Sequence, residues 1–192
     1  MAAVLAAILA MALALTFIGD LAIPMPGLFV VHGLAVPIAL LAPLTLSTAI
    51  GFGLSGGDPV TESVAVRRVA LIETTFGVAA ALLAGGGMAL LGATGVSDLG
   101  IASGRNALGY VGLLLLAAPV VGRPAAPLIP AGLALFCAFF GGDNVGDPQW
   151  WAWMLRASDD ARAMLIAMVL LFAGTVAFHS RGSPKTLGTD WR

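Results

Sequence analysis

Long apolar runs alternate with short polar stretches along almost the whole chain. Six runs approach the length of about 20 apolar residues that a helix needs to cross about 30 Å of hydrocarbon. They cover residues 2–19, 28–54, 69–92, 105–121, 125–140 and 159–178. The pattern predicts an all-α, polytopic integral membrane protein, with one six-span domain over residues 1–180 and a polar tail over 181–192.

The second run contains two prolines, Pro37 and Pro43. Each proline removes a backbone donor and should bend the helix or free a carbonyl. We expect the hydroxyls of Thr45, Ser47 and Thr48 to satisfy some of these carbonyls.

The third run carries small residues at a strict four-residue spacing: Gly77, Ala81, Gly85 and Ala89. Such a ladder lets a second helix approach closely. The alternative is that a sequence rich in alanine and glycine produces the spacing by chance.

The fifth run has about 16 residues, so a helix over it reaches only about 24 Å. The stretch that follows, residues 141–162, reads GGDNVGDPQWWAWMLRASDDAR and holds six charged residues, although only one residue in ten of the chain is charged. We predict a short interfacial or re-entrant helix here, capped by Asp147, that completes the layer on its outer side.

Three tryptophans, Trp150, Trp151 and Trp153, are predicted to anchor this outer helix at the membrane–water interface. On a helical wheel Trp150 and Trp151 share one side with Met154 and Leu155. The sequence Ser-Asp-Asp from residue 158 is predicted to cap the N-terminus of the last spanning helix.

Composition supports the membrane class and excludes several others. The chain has 192 residues, 59% of them hydrophobic, a mean hydropathy of +1.01 and a net charge of −1 without a basic stripe, which argues against a nucleic-acid partner. A single cysteine, Cys137, excludes an intrachain disulfide framework and a cysteine-type zinc site. His32 and His179 are predicted near opposite faces, so they cannot share a metal.

The sequence contains no phosphate-binding loop, so the chain is not expected to hydrolyse ATP by itself. We expect no catalytic residue, cofactor or metal. Four aspartates of the outer stretch leave a divalent-ion or hydrolase site open, although three of them also fit helix caps. They are Asp143, Asp147, Asp159 and Asp160.

The distribution of Lys and Arg predicts the orientation. With both termini on one side, that side holds six cationic residues: Arg67, Arg68, Arg123, Arg181, Lys185 and Arg192. The other side holds three: Arg105, Arg156 and Arg162. The positive-inside rule then predicts cytoplasmic termini in a bacterial inner membrane.

Glu73 lies about one turn inside the third run, where a carboxylate is costly unless it faces protein or water. It is a candidate residue of a substrate pathway. The alternative is an ion pair with Arg67 or Arg68 at the membrane surface.

Arg105 and Asn106 open the fourth run and are candidate pathway residues at its outer mouth. The alternative is an interfacial anchor or a partner for Asp98.

The loop 56–68 contains a short charged segment with Asp58, Glu62, Arg67 and Arg68. A membrane subunit that docks on a soluble motor needs such a segment. A solvated loop that only sets the topology is the alternative.

Together these features resemble the membrane subunits of ABC-2-type transporters: six spans, cytoplasmic termini, a charged segment at 56–68 similar to a coupling helix, and an outer excursion at 141–157. The composition also resembles that of high-GC actinobacterial proteins. The resemblance implies a dimeric transporter subunit, with its substrate path between the protomers, that works with a separate cytoplasmic ATPase. A structural subunit packed against other membrane proteins remains a second hypothesis, and a lipid-modifying enzyme a third.

Overall fold

The computed structural model describes residues 2–25, 34–55, 69–143 and 147–181. Within these ranges the chain is mostly helical. The helices are α1 (Ala2–Ile18), α2 (Ile38–Leu41), α3 (Pro43–Ser55), α4 (Val69–Ala93), α5 (Gly100–Val121), α6 (Leu128–Phe140) and α7 (Ala161–Arg181), and the strands are β1 (Ala22–Met25) and β2 (Leu34–Pro37).

Among the residues that the structure describes, four helical segments are long and apolar enough to cross a membrane: Ile38–Ser55, Leu71–Ala93, Gly100–Val121 and Ala161–Ser180. The remaining apolar helices α1 and α6 have 17 and 13 residues. The structure therefore confirms a helical protein with membrane-spanning candidates, whereas six crossings remain a prediction.

A small β-hairpin replaces the first part of the predicted second span. β1 and β2 pair antiparallel, with Ala22 opposite Pro37 and Met25 opposite Leu34. Residues 34–37 were predicted as helix and form β2 instead, so the prediction of an all-α chain was wrong here; residues 28–33 of the predicted span lie outside the described residues. Pro37 ends the strand, and the helix begins one residue later because Pro37 has extended geometry there.

The helix after the hairpin breaks at Ala42, immediately before Pro43. The Thr45 hydroxyl donates to the Ala42 carbonyl at 2.7 Å, and the Thr48 hydroxyl donates to the Leu44 carbonyl at 2.8 Å. Thr45 thus supplies a donor at the break, as expected, whereas the Ser47 and Thr48 hydroxyls donate to Leu44, inside α3.

The small-residue ladder of α4 packs against α5, as predicted. A Cβ atom built on Gly85 would lie 3.0 Å from the Gly104 carbonyl, and one built on Gly100 would lie 2.5 Å from the Gly92 nitrogen. α5 begins at Gly100, five residues before the apolar run predicted from residue 105. Gly100 and Gly104 in this added turn serve the close contact with α4.

α5 is the central helix of the bundle. Its other side contacts α7, where a Cβ atom on Gly112 would lie 2.5 Å from the Leu171 nitrogen. The contacts show that α4 runs antiparallel to α5, and that α7 runs parallel to it. More than half of α5 is buried, including Tyr110, Val111 and Leu114.

Large apolar side chains cover the outside of the bundle. α7 exposes Leu165, Val169, Phe172 and Val176, each more than half exposed. α1 buries one stripe against α2 and α3, while its Phe17 is 80% exposed. The core is mostly apolar as well, but Arg105 and Asn106 are buried in it while many large apolar side chains are exposed, which is unusual for a water-soluble protein.

The two ends of the bundle differ. One end, called here the hairpin end, holds the β-hairpin, the turn 94–99 and the Trp segment, defined as residues 141–160. The opposite end holds the end of α3, the start of α4 and the turn between α5 and α6.

Candidate functional site

Three polar side chains of α5 form a buried cluster at the hairpin end. The polar cluster consists of Arg105, Asn106 and Tyr110, each at most 1% exposed. Asn106 and Tyr110 are four residues apart and so lie on one helix face. Uncompensated burial of such groups is costly, so the partners of each group explain why it is there.

Asn106 joins two separate parts of the chain through one amide nitrogen. Its Nδ2 donates to the Leu40 carbonyl at 3.2 Å and to the Met154 carbonyl at 2.8 Å. Leu40 lies next to the helix break, and Met154 lies in the Trp segment. A single side chain therefore holds both elements against α5.

The Tyr110 hydroxyl donates to the same Leu40 carbonyl at 3.1 Å and lies 3.4 Å from the Met154 Sδ. A proline break leaves nearby backbone carbonyl groups without their helical donors, and Leu40 lies next to the break at Ala42. Tyr110 and Asn106 supply donors where the helix cannot.

Arg105 holds the other end of the Trp segment. Its Nη1 donates to the Ala157 carbonyl at 2.8 Å, its Nη2 to the Arg156 carbonyl at 2.9 Å, and its Nε to Asn106 Oδ1 at 3.4 Å. These acceptors are neutral oxygens. The guanidinium is therefore used as a rigid fork that fixes the course of a backbone.

Trp153 fills a notch in α5 beside the polar cluster. Its ring contacts Gly109, where any side chain would collide with it. The ring centroids of Trp153 and Tyr110 are 6.0 Å apart and tilted by 55°. Trp153 is only 4% exposed, so its predicted role as an interfacial anchor is wrong.

The helix predicted over the Trp segment is reduced to one 3-10 turn, Trp153–Leu155. Trp153, Met154 and Leu155 are all buried, whereas Trp150 is 77% exposed. The wheel that placed Trp150 beside Met154 was therefore wrong. Backbone carbonyls of this segment accept hydrogen bonds from the polar cluster. In an α-helix the same carbonyls would accept hydrogen bonds from the helix's own backbone.

Trp151 is partly buried and packs on α6. Its ring lies 5.6 Å from that of Phe136, and its Nε1 donates to Gln149 Oε1 at 3.1 Å. With the exposed Trp150, it places aromatic surface at the rim of the hairpin end.

The outer aspartates have structural partners. Asp143 Oδ1 accepts from the Asp147 amide at 2.9 Å, so Asp147 closes a loop and does not cap a helix as predicted. Asp160 Oδ1 accepts from the amides of Arg162 and Ala163 and so caps α7. A hydrogen bond from Arg156, at 2.6 Å, and these amides lower the pKa of Asp160.

Within the described ranges, no group of three or more His, Cys, Asp or Glu side chains could hold a metal ion. Cys137 is buried. Asp98 is not the partner of Arg105; its carbonyl accepts from the Ser158 hydroxyl at 2.9 Å, which ties the turn 94–99 to the Trp segment.

A second polar contact closes the opposite end. Arg123 Nη2 lies 2.8 Å from Glu73 Oε2, and its Nη1 donates to the Leu54 carbonyl at 3.3 Å. Arg123 thus joins the end of α3, the start of α4 and the turn after α5. The alternative partners considered for Glu73, Arg67 and Arg68, lie outside the described residues.

The predicted coupling residues Asp58, Glu62, Arg67 and Arg68 also lie outside the described residues, as does His32. Of the candidate pathway residues, the structure brings Arg105 and Asn106 together and places Glu73 at the far end of the bundle.

Sequence reasoning missed Tyr110 and Arg123. Tyr110 is the one tyrosine of the chain and follows Asn106 by one helical turn, which was an available signal. Arg123 lies in a Gly-Arg-Pro turn, and nothing local indicated that its side chain reaches two other helices.

Comparisons of the chain with protein-family models, with curated proteins and with solved structures found no match.

Proposed function

We propose that the chain is embedded in a bacterial inner membrane, crosses it six times and keeps both termini in the cytoplasm. The observation that supports this most is the wide exposure of large apolar side chains on α1, α4 and α7, combined with the burial of Arg105 and Asn106. A soluble monomer rarely exposes apolar surface of this extent. In a bilayer the same surface faces lipid.

The two shorter helices fit this arrangement. α1 is about 25 Å long and α6 about 20 Å, against about 30 Å of hydrocarbon. The Trp segment packs against the end of α6 and would complete the outer half of the layer there. Trp150 and Trp151 then lie where aromatic side chains favour the interface.

The function that we favour is that of a transporter membrane subunit driven by a separate ATPase. Arg123 carries this proposal, because it holds Leu54 and Glu73 together, and these residues flank the loop 56–68. A motor bound to that loop would act directly on the ends of α3 and α4. The turn after α5 would move with them.

In this proposal the Trp segment is an outer lid. Arg105 and Asn106 contact a substrate only when the lid moves, because they are buried beneath it. In the closed state they hold the lid. Glu73 remains a candidate for the inner part of the pathway.

Charge reversal in the loop 56–68 tests the coupling role. We expect Glu62→Lys, or Arg67→Glu with Arg68→Glu, to abolish stimulation of the partner ATPase while membrane insertion stays intact. Asp20→Lys, an exposed charge reversal at the hairpin end outside the Trp segment, is the matched control and should leave stimulation unchanged. Unchanged stimulation in the loop variants would reject the assignment.

A structural subunit of a larger membrane complex is the second candidate. Gly86 and Gly87 favour it, because they lie on the exposed side of α4 and a Cβ atom on either would meet no atom within 4 Å. Such an open small-residue surface can receive a helix of another subunit. Purification with other membrane subunits and without an ATPase would decide for this candidate.

A further inference from the structure

A lateral groove opens between α4 and α7 at the opposite end of the bundle. Both helices pack on α5 but contact each other at few positions, which leaves a cavity of about 520 Å³. The groove is lined by residues of three turns of α4 and two turns of α7. It belongs neither to the polar cluster nor to the Arg123 contact.

The wall of the groove is almost entirely apolar, although threonines contribute to it. The Thr75 hydroxyl donates to the Leu71 carbonyl at 2.8 Å and the Thr175 hydroxyl to the Leu171 carbonyl at 2.6 Å, each within its own helix. These hydroxyls are therefore satisfied. An occupant that matches the groove is therefore apolar and does not need to form hydrogen bonds with the wall along its length.

Polarity changes along the groove. Val78, Ala79 and Leu82 line its part towards the middle of α4, whereas the exposed His179 lies at the end near the terminus of α7. An occupant that matches both parts has an apolar tail and a polar head. The imidazole is a suitable donor for a phosphate oxygen.

The volume limits the kind of occupant. Three turns of a helix are about 16 Å long and about 10 Å wide, which corresponds to more than about 1,000 Å³. The groove holds about half of that, within the usual range of about 300–1,000 Å³ for small-molecule sites. A flexible hydrocarbon chain fits it better than a helix.

We infer that this groove binds one phospholipid, with an acyl chain along Val78, Ala79 and Leu82 and the phosphate at His179. The inference rests on the membrane embedding proposed above, but not on the ATPase partner. Failure of the coupling experiment would therefore leave it standing.

Native mass spectrometry of the full-length protein in mild detergent, with added dioleoyl phosphatidylglycerol, tests the site. We expect one tightly retained lipid per chain. Ala79→Phe fills the groove and should lower the lipid-bound fraction several-fold, with Ala79→Leu in between. Leu83→Phe is the matched control, because Leu83 lies on α4 outside the groove and is 72% exposed.

The head contact is tested with dioleoylglycerol, which lacks the phosphate. Wild type should retain phosphatidylglycerol more strongly, and His179→Leu, which has no side-chain donor, should remove that preference. Circular dichroism checks that each variant is folded. Equal lipid retention by Ala79→Phe and wild type would overturn the inference, and so would loss of a chain dimer in Ala79→Phe, because a second copy would then occupy the groove.

Discussion

Single side chains of α5 decide the position of the Trp segment. Asn106 and Arg105 bind the carbonyls of Met154, Arg156 and Ala157, and none of these bonds depends on which side chains the Trp segment carries. A buried acceptor that loses its donor costs about 1–3 kcal/mol. The polar cluster therefore fixes the position of the Trp segment, which has little regular secondary structure of its own.

Substitutions in the polar cluster should have graded effects. Asn106→Leu leaves the Met154 carbonyl without this donor, so we expect a loss of about 1–3 kcal/mol in unfolding free energy. Tyr110→Phe should cost about 0.5–1.5 kcal/mol, because the Leu40 carbonyl keeps its bond from Asn106. Unfolding titrations in detergent measure both values.

The double variant sharpens this test. It removes both donors from the Leu40 carbonyl, so its cost should exceed the sum of the single costs. Proteolysis should also cut the Trp segment faster in Asn106→Leu than in Tyr110→Phe. Additive costs with equal proteolysis would contradict the role of Asn106 as a bridge.

At the scale of elements, α5 brings the bundle together through glycines on two sides. Gly100 and Gly104 admit α4, and Gly112 admits α7. At these positions the backbones of the two helices are in contact. A methyl group added to one of these glycines would therefore collide with backbone atoms and not with a flexible side chain that could move aside. The positions of the glycines fix how closely the three helices approach.

Alanine substitutions should separate close-contact glycines from open ones. Gly112→Ala forces α5 and α7 apart, and we expect a loss of about 1–3 kcal/mol, as for overpacking in a core. Gly86→Ala meets no atom and should be neutral or stabilise by up to about 1 kcal/mol through helix propensity. Thermal unfolding of the two variants in the same detergent compares them; equal effects would contradict the packing.

At the scale of the whole molecule, six crossings would place successive loops on alternate sides of the membrane. Reporter fusions after residue 96 and after residue 158 should be active on the outer side. Fusions at either terminus and after residue 122 should be active in the cytoplasm, because successive helices alternate in direction. Activity of the terminal fusions on opposite sides would exclude an even number of crossings.

Several features of the fold could be predicted from the sequence. Apolar runs located α1, α4, α6 and α7 to within a few residues, because a long apolar helix has a strong local signal. The ladder from Gly77 to Ala89 predicted a close helix contact. The Ser-Asp-Asp cap of the last helix was also confirmed, with Asp160 as the capping residue.

Other features depended on partners distant in sequence. The start of α5 at Gly100 was hidden, because glycine and serine favour a loop until a second helix packs on them. The Trp segment looked like a helix by its local cap signals, but its carbonyls bind Arg105 and Asn106, some 50 residues earlier.

The sequence by itself determined that this chain is a bundle of apolar helices, because hydrophobic runs and small-residue spacing are local properties. The tertiary structure alone decided the use of the polar residues. Arg105 and Asn106 hold the Trp segment against α5, Arg123 joins the ends of α3 and α4, and Trp153 fills a notch at Gly109. Each of these roles is set by the burial of a polar or aromatic group next to a particular backbone, which no local pattern encodes.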